Sequence, residues 1–115
     1  MRSADILLVD FPFSDAAGTK LRPAVVVSSD HFHGGDDVVV LPISSRASLR
    51  DAFSYDLDPA APEFRLTGLK PPSSVKWTKP VTISRQLVRR RLGRLSKKPY
   101  DEVRELLRSV FSYRP

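Results

Sequence analysis

Three apolar runs in the first 45 residues constrain the fold of this chain more than any other feature. They are "DILLVDFPF" from Asp5, "PAVVVSS" from Pro23 and "VVVLPISS" from Val38. Valine and isoleucine are stiff, β-branched side chains that suit the pleated surface of a sheet. The segments between the runs, "SDAAGTKLR" and "DHFHGGDD", are short, polar and glycine-containing, which is typical of loops and turns. The sequence therefore predicts an antiparallel meander, with a first strand ended by Pro12 and a third strand ending near Ile43.

The middle of the chain is less regular but contains further strand signals. "DAFSYDLDP" places Phe53, Tyr55 and Leu57 at alternate positions, the period-two pattern of a half-buried strand. The proline-rich stretch "AAPEFRLTGLKPPSS" that follows predicts a long connection. "SVKWTKPVTIS" then predicts another strand with one polar face, and "RRRLGRLS" predicts a last short strand.

The C-terminal stretch has a clear helical pattern. Ser96 is placed to cap a helix, and Pro99 fits its first turn. Apolar residues then recur at the spacing of one helix face, at Val103, Leu106, Leu107, Val110 and Phe111. Strands followed by one helix predict a small, mainly β (α+β) domain over residues 1–115, with its antiparallel strands forming a closed barrel.

Charge is distributed very unevenly along the chain. Residues 1–64 hold five basic and ten acidic residues, whereas residues 65–98 hold eleven basic residues and no acidic one. A basic block of this density is typical of a surface that binds a polyanion, nucleic acid before acidic membrane. The alternatives are a solubilising face and a surface that meets an acidic protein.

Composition argues against disulfides, metal sites and membrane segments in this chain. The chain has no cysteine, so it can form neither a disulfide nor a thiolate metal site. His31 and His33 stand close to two aspartates, but they flank a Gly-Gly turn where exposed polar residues are ordinary. We therefore expect no metal and no cofactor. The N-terminal apolar run is short, is interrupted by acidic residues and lacks a cleavage pattern, so we expect a cytoplasmic protein without a membrane segment.

The dipeptide Arg22-Pro23 stands where a polar loop is predicted to become the valine-rich second strand. Pro23 suits the first residue of a strand and steers Arg22 away from helical backbone angles. An arginine held in this way loses little entropy when its planar guanidinium binds a phosphate. The residues alone leave a second interpretation open, an ion pair between Arg22 and Asp15 or Asp10 at the base of the loop.

The third apolar run ends in the hydroxyl-rich segment "ISSR". Ser44 or Ser45 can hydrogen-bond a phosphate oxygen or an attacking hydroxyl, and Arg46 adds a cation. A serine pair that simply ends a strand and starts a turn is the competing interpretation. Because both histidines lie in one turn, an RNA-cleaving site here would depend on charged and hydroxyl groups rather than on a histidine pair.

In their order along the chain, these motifs resemble the MazF/PemK (Kid) toxins of bacterial type II toxin–antitoxin modules. The similarity rests on "DILLVDFPFSDAAGTKLRPAVVVSS", "VVVLPISSR", "SSVKWTKPVTIS" and "RLGRLS", and it extends over nearly the whole chain. One departure is Ala4 before Asp5, where many relatives have a glycine. The resemblance implies a small SH3-like (CcdB/PemK) barrel with a C-terminal helix that forms a homodimer.

The resemblance also implies an activity. Most members of the family are metal-independent endoribonucleases that cut single-stranded RNA at short sequences, leaving a 2′,3′-cyclic phosphate and a 5′-hydroxyl. Arg22 matches the family's catalytic arginine, which stabilises the phosphate charge. Ser44 stands where the family usually has a catalytic threonine, with Ser45 as an alternative hydroxyl beside it. The expected partners are single-stranded RNA and a cognate antitoxin with an acidic, disordered tail.

Further positions are expected to contact RNA. Phe13 and Trp77 offer ring faces for base stacking, although burial beside Val75 is the competing interpretation for Trp77. Thr78 and Lys79 match positions at which relatives read bases, but the residue types differ, so we expect a different RNA sequence preference. The full set of expected RNA contacts is Phe13, Lys20, Ser45, Arg46, Lys76, Thr78 and Lys79.

Two other functions fit the same fold. CcdB toxins share it, but they poison DNA gyrase by binding the protein and lack the catalytic pair. A non-catalytic barrel that binds RNA or DNA would carry the same charge. The Arg-Pro start of the second strand and the "SSV" segment favour the nuclease.

Overall fold

A computed structural model describes residues 1–15, 18–32 and 35–112, with side chains described outside residues 12–19. Within these residues the chain forms seven strands and one α-helix. The elements are β1 Asp5–Asp15, β2 Gly18–Val26, β3 Asp37–Ser44, β4 Ser54–Leu57, β5 Ser73–Lys76, β6 Val81–Ser84, β7 Val88–Arg94 and α1 Lys97–Val110. A 3₁₀ segment, Pro62–Thr67, lies between β4 and β5.

The first hairpin is longer than the sequence predicts. β1 continues through Pro12, and β2 begins at Gly18 rather than at Pro23. The ladder between these strands pairs Val9 with Arg22, so Arg22 lies inside β2 and not at its entrance. The predicted loop is largely strand because backbone pairing across a hairpin does not require apolar side chains.

The later elements follow the predicted order, with one split. The segment predicted as a single strand, residues 74–84, forms parts of β5 and β6, because residues 77–80 make a turn between them. β4 begins only at Ser54, which leaves Phe53 outside it. The predicted last strand and the C-terminal helix are confirmed, and Ser96 is the residue that precedes the helix.

β3 lies at the centre of the sheet and shares one of its edges between two partners. On one edge, residues 37–40 of β3 pair with β6 and residues 43–44 pair with β5. On the opposite edge β3 pairs with β2, and all of these pairings are antiparallel. The strand order is β4-β5-β3-β2-β1-β7, with β6 beside β3. The predicted mainly β fold with a C-terminal helix is confirmed. Among the described residues, no backbone ladder joins β4 to β7, so the sheet does not form the closed barrel that the sequence predicts.

Both faces of the central strands are apolar, so the sheet has a core on each side. Alternate residues of a strand point to opposite faces, and the two cores take alternate residues of β1, β2 and β3. One core includes Ile6, Val25, Leu41 and Val75 and is packed against Val103 of α1. The other includes Leu7, Val9, Phe11, Ala24, Val26, Val38, Val40 and Ile83.

The apolar face of α1 is only partly covered. Val103 is fully buried, whereas Val110 and Phe111 are 44% and 70% exposed. The sequence pattern predicts one continuous apolar face along the helix, but the described residues of this chain leave the C-terminal part of that face exposed.

Two glycines let the 3₁₀ segment approach β7 closely. A methyl group on Gly93 would lie 2.2 Å from the carbonyl oxygen of Leu66, and one on Gly68 would lie 2.0 Å from that of Leu92. Gly68 also has a φ of 72°, which favours glycine. Side chains at these two positions would push the segment away from the sheet.

Asp5 at the start of β1 is a buried carboxylate that holds the N-terminus against β7. Its oxygens accept hydrogen bonds from the Arg2 backbone N–H at 2.8 Å, Arg91 Nε at 3.1 Å and Arg94 Nη1 at 3.3 Å. Shifts in the β1–β7 register allow two arginines three positions apart to reach one carboxylate. Ala4 beside it has a φ of 73°, a conformation that favours glycine.

Candidate active site

The register of the sheet places four polar residues in one row across it. The β2–β3 register, continued two residues beyond its last ladder pair, sets Arg22 opposite Ser44. Ser44 pairs with Ser74 of β5, which pairs with Asp56 of β4. Directly opposite residues point to the same face of a sheet. Arg22, Ser44, Ser74 and Asp56 therefore form what we call the polar row.

Pro23 explains why one end of this row is open. The β2–β3 ladder ends at the pair Ala24 and Pro42, and Pro23 has no N–H with which to extend it. In the described ladders, the residues of β2 before Ala24 pair only with β1. The proline thus ends the ladder and leaves Arg22 at a sheet edge, although inside a longer strand than predicted.

Arg22 is half-buried, and its guanidinium forms no ion pair or hydrogen bond with any residue that the structure describes. Asp10, one of the two carboxylates considered for it, instead accepts a hydrogen bond from Arg89 Nη2 at 2.7 Å. The other, Asp15, has its side chain outside the described residues. A half-buried cation that lacks a described counter-ion favours the binding of an anion.

Two clefts share Arg22, Ile43 and Ser44 in their walls. The first cleft, of about 360 Å³, also contains Lys20, Ser45, Arg46, Leu69 and Pro71. The second cleft, of about 320 Å³, also contains Asp51, Phe53, Lys76, Thr78 and Lys79. The structure therefore brings the two predicted catalytic residues together and places six predicted RNA contacts around them. The seventh, Phe13, lies in β1 with its side chain outside the described residues.

Ser44 and Ser45 differ in how firmly they are held. Ser44 is 8% exposed, and its Oγ accepts the backbone N–H of Arg46 at 3.2 Å, which leaves the hydroxyl hydrogen to be donated. Ser45 is exposed and lies outside the polar row. Ser44 lines both clefts, whereas Ser45 lines only the first of the two. The fixed hydroxyl beside Arg22 is that of Ser44.

The hydroxyl of Ser74 is buried without a hydrogen-bond partner among the described residues. It follows Ser44 in the polar row and lines a third cleft, of about 400 Å³, with Arg46 and Arg50. Leaving a buried hydroxyl unpaired costs roughly 1–3 kcal/mol. We therefore expect the Ser74 hydroxyl to contribute no stability to the free protein.

Lys76 is a buried residue that braces the loop after β3. Its ammonium group donates hydrogen bonds to the Leu49 carbonyl oxygen and, at 2.8 Å, to Ser54 Oγ. The strand was predicted to have one polar face, but all four residues of β5 are buried, and Lys76 hydrogen-bonds Leu49 in the loop after β3 and Ser54 in β4. Lys76 lines the second cleft, but its described hydrogen bonds are made within the protein.

The second cleft contains three charged or aromatic residues that were not predicted from the sequence as site residues: Arg50, Asp51 and Phe53. Arg50 forms an ion pair with Asp56 of the polar row. The alternating pattern predicted that Phe53 lies in a half-buried strand, so its exposure was not expected. Arg50 and Asp51 are charged residues in a loop, and nothing in the sequence distinguishes them from other exposed charges. Trp77 is half-buried against the core, in agreement with the burial interpretation.

Among the described residues, no group of three or more acidic or histidine side chains could hold a metal ion. His31 is exposed, and His33 lies outside the described residues. In the same part of the chain, no helix is long and apolar enough to cross a membrane.

The geometry suits a negatively charged, extended ligand. A half-buried guanidinium and a fixed hydroxyl stand side by side, and exposed cations (Lys20, Arg46 and Lys79) continue on the walls of the two clefts. Guanidinium and hydroxyl donors on one edge can hold the non-bridging oxygens of a phosphodiester. The adjoining clefts can then hold the nucleotides on either side of that phosphate.

Comparison with known proteins agrees with this fold. Residues 2–111 match the family model of the PemK-like, MazF-like toxins of type II toxin–antitoxin systems. No curated protein sequence matches the chain. Among solved structures, MazF (form I) from Deinococcus radiodurans is 20% identical, with a TM-score of 0.75 and 96% of each chain covered.

Two mycobacterial structures are similar as well. The Mycobacterium tuberculosis toxin MazF-mt6 is 21% identical, with a TM-score of 0.71 over 93% of this chain and 95% of that one. An endoribonuclease in complex with its cognate antitoxin from mycobacterial species is 12% identical, with a TM-score of 0.71 over 96% of this chain and 92% of that one. At these identities the likeness shows a shared fold.

Proposed function

Because the chain belongs to the PemK-like, MazF-like toxins of type II toxin–antitoxin systems, we propose that it is an endoribonuclease that cuts single-stranded RNA. The observation that carries this proposal is the half-buried Arg22 without a described counter-ion, set beside the fixed hydroxyl of Ser44. The protein acts on mRNA in the cytoplasm as a single domain over residues 1–115.

The reaction is an attack of the ribose 2′-oxygen on the adjacent phosphorus. The new P–O2′ bond forms as the P–O5′ bond breaks, which leaves a 2′,3′-cyclic phosphate and a 5′-hydroxyl. The 2′-hydroxyl proton passes to solvent, and the leaving 5′-oxygen gains a proton in return. Arg22 stabilises the charge that develops on the non-bridging oxygens and directs an N–H donor toward the leaving oxygen. Ser44 donates its hydroxyl hydrogen to the same phosphate and fixes its orientation. The mechanism needs no metal ion.

The partners follow from the same site and surface. RNA phosphates bind along the clefts through Lys20, Arg46 and Lys79, so affinity falls steeply with salt. The exposed apolar end of α1, at Val110 and Phe111, supports assembly into a homodimer. A solved structure of similar fold contains an endoribonuclease with its cognate antitoxin, which supports a cognate antitoxin for this chain as well.

One assay tests the proposal. Purified protein is incubated with a long single-stranded RNA in EDTA, and both ends of each fragment are mapped. We expect cuts at a short recurring sequence, with 2′,3′-cyclic phosphate and 5′-hydroxyl ends. Intact RNA together with growth arrest in cells would refute the nuclease in favour of a gyrase poison. Binding without cutting or arrest would instead indicate a non-catalytic nucleic-acid-binding barrel.

A further inference from the structure

The second cleft contains an aromatic ring and a carboxylate that the proposed mechanism does not use. Phe53 and Asp51 both line it, together with Arg22 and Ser44. Their loop connects β3 with β4. A phosphate held by Arg22 would therefore have a ring and a carboxylate within the same cleft.

Phe53 presents a fixed aromatic face to solvent. It is 54% exposed, and its ring meets Trp77 edge-on, with centroids 5.7 Å apart and an interplanar angle of 72°. Edge-to-face contact with a half-buried tryptophan restricts the ring while leaving part of it open. Aromatic rings presented in this way stack on unpaired nucleic-acid bases.

Asp51 is held in place through one carboxylate oxygen. Its Oδ1 accepts the backbone N–H of Phe53 at 2.8 Å and the hydroxyl of Ser54 at 3.3 Å. Its Oδ2 has no partner among the described residues. The hydrogen bond from the Phe53 backbone lowers the pKa of Asp51 below its ordinary 3.8, so this oxygen stays an acceptor at neutral pH.

Buried Lys76 of β5 holds the loop between β3 and β4 in place. It donates to the Leu49 carbonyl oxygen and to Ser54 Oγ, and Ser54 in turn donates to Asp51. The ring and the carboxylate are thus anchored to β5 before any ligand arrives. Groups that are held in advance lose little entropy on binding.

We propose that Phe53 and Asp51 form a base-recognition subsite for the unpaired nucleotide next to the phosphate at Arg22. Phe53 stacks on the base, and Asp51 Oδ2 accepts a hydrogen bond from an exocyclic amine. Adenine, cytosine and guanine carry such an amine. Uracil carries none, and the single donor on its pairing edge, the N3–H, lies between two carbonyl oxygens that repel a carboxylate. The subsite therefore selects amine-bearing bases against uracil. This inference rests on the proposed endoribonuclease function.

The experiment compares base preferences in a pool of RNAs randomised around the cut. The variants are Asp51→Asn and Phe53→Leu, with Asp36→Asn and Phe32→Leu as controls that remove an exposed carboxylate and a 48% exposed phenylalanine from the β2–β3 turn. Wild-type protein should disfavour uracil at one position beside the cut by roughly tenfold. Asp51→Asn should remove most of this difference, because the amide group can also donate to uracil.

The stacking contact is measured separately with an RNA that carries a 2′-deoxynucleotide at the cut site and is not cleaved. Phe53→Leu should weaken its binding roughly tenfold, and Phe32→Leu should leave binding unchanged. Thermal unfolding of each variant shows that it is folded.

The outcomes separate this inference from the function on which it rests. If wild-type protein cuts no RNA, the proposed function fails. If wild-type protein cuts and Asp51→Asn keeps the wild-type base preference, or slows all sequences equally, the subsite is refuted while the nuclease stands. Unchanged binding by Phe53→Leu would likewise refute the stacking contact.

Discussion

Two groups of arginines on the same sheet differ in what surrounds them. On β7, Arg91 and Arg94 hydrogen-bond the buried carboxylate of Asp5, and Arg89 pairs with Asp10. On β2, Arg22 has no partner among the described residues and lines two clefts beside Ser44. The β7 arginines pair with carboxylates of β1, whereas Arg22 is the arginine that we propose binds an RNA phosphate.

The density of positive charge along the sequence therefore does not by itself indicate which arginines are available to bind a ligand. The segment "RRRLGR" lies within the basic block of residues 65–98, for which the sequence predicts a surface that binds a polyanion, a solubilising face or a surface that meets an acidic protein. Three of its arginines instead neutralise carboxylates of β1. Arg22 comes from the acidic half of the chain, and because it has no counter-ion among the described residues we propose it, rather than these arginines, as the phosphate ligand.

The largest expected effect separates these two groups by activity. Arg22→Ala should reduce single-turnover cleavage by roughly 10²–10³-fold, the usual loss when one donor to a developing oxyanion is removed. Its free energy of unfolding should change by less than about 0.5 kcal/mol, since Arg22 makes no described polar contact. Arg90→Ala, which removes an exposed arginine of β7, is the matched control and should keep cleavage near the wild-type rate. Equal losses from both variants would indicate that only net charge matters.

The next effect distinguishes the two serines. Ser44→Ala should slow cleavage by roughly 10–100-fold, because the fixed hydroxyl beside Arg22 is lost. Ser45→Ala should have a much smaller effect, since its exposed side chain lies outside the polar row. Rates on one defined RNA substrate decide the question, and a larger loss from Ser45→Ala would assign the catalytic hydroxyl to that residue.

A smaller effect, on stability, is expected at β7. Arg91→Ala removes one donor to buried Asp5, so the free energy of unfolding should fall by about 1–2 kcal/mol. Denaturant unfolding measures this loss. The folded variant should still cleave RNA at nearly the wild-type rate. Normal stability with impaired cleavage would move Arg91 from the structural group to the functional one.

The smallest effect concerns the buried hydroxyl next to Ser44. Ser74→Ala removes an unpartnered polar group, so the free energy of unfolding should rise by about 1 kcal/mol. Denaturant unfolding of the free protein is again the measurement. A loss of stability would show that the hydroxyl has a partner in the folded protein.

Much of the fold could be predicted from local pattern. The β-branched runs identified β1 to β3, and the helical spacing from Val103 to Phe111 identified α1. The lengths of β1 and β2 could not be predicted, because a hairpin ladder is set by backbone pairing that continued past the apolar residues. The division of "SVKWTKPVTIS" into two strands depended on β3 having two partners along one edge.

The candidate site was predictable only in part, for a related reason. The Arg-Pro dipeptide and the hydroxyl pair at a strand end made Arg22 and Ser44 candidates, but the residues alone left an ion pair and a simple turn open, and the family resemblance favoured the catalytic roles. Their meeting depends on the β2–β3 register, which no local pattern encodes. Phe53 was missed because an alternating pattern does not show whether a given aromatic residue is buried or exposed. Asp51 was missed because a single carboxylate in a loop has no sequence pattern that marks it as part of a site.

The most direct test of the central claim is a double-mutant cycle on cleavage with Arg22→Lys and Ser44→Ala. Lysine keeps the charge but loses the planar fork, so each single variant should retain a measurable rate. Two residues that hold one phosphate should be coupled, and the combined loss should differ from the product of the single losses by roughly tenfold. Losses that multiply to within about twofold would mean that the two residues act independently. That result would contradict the account.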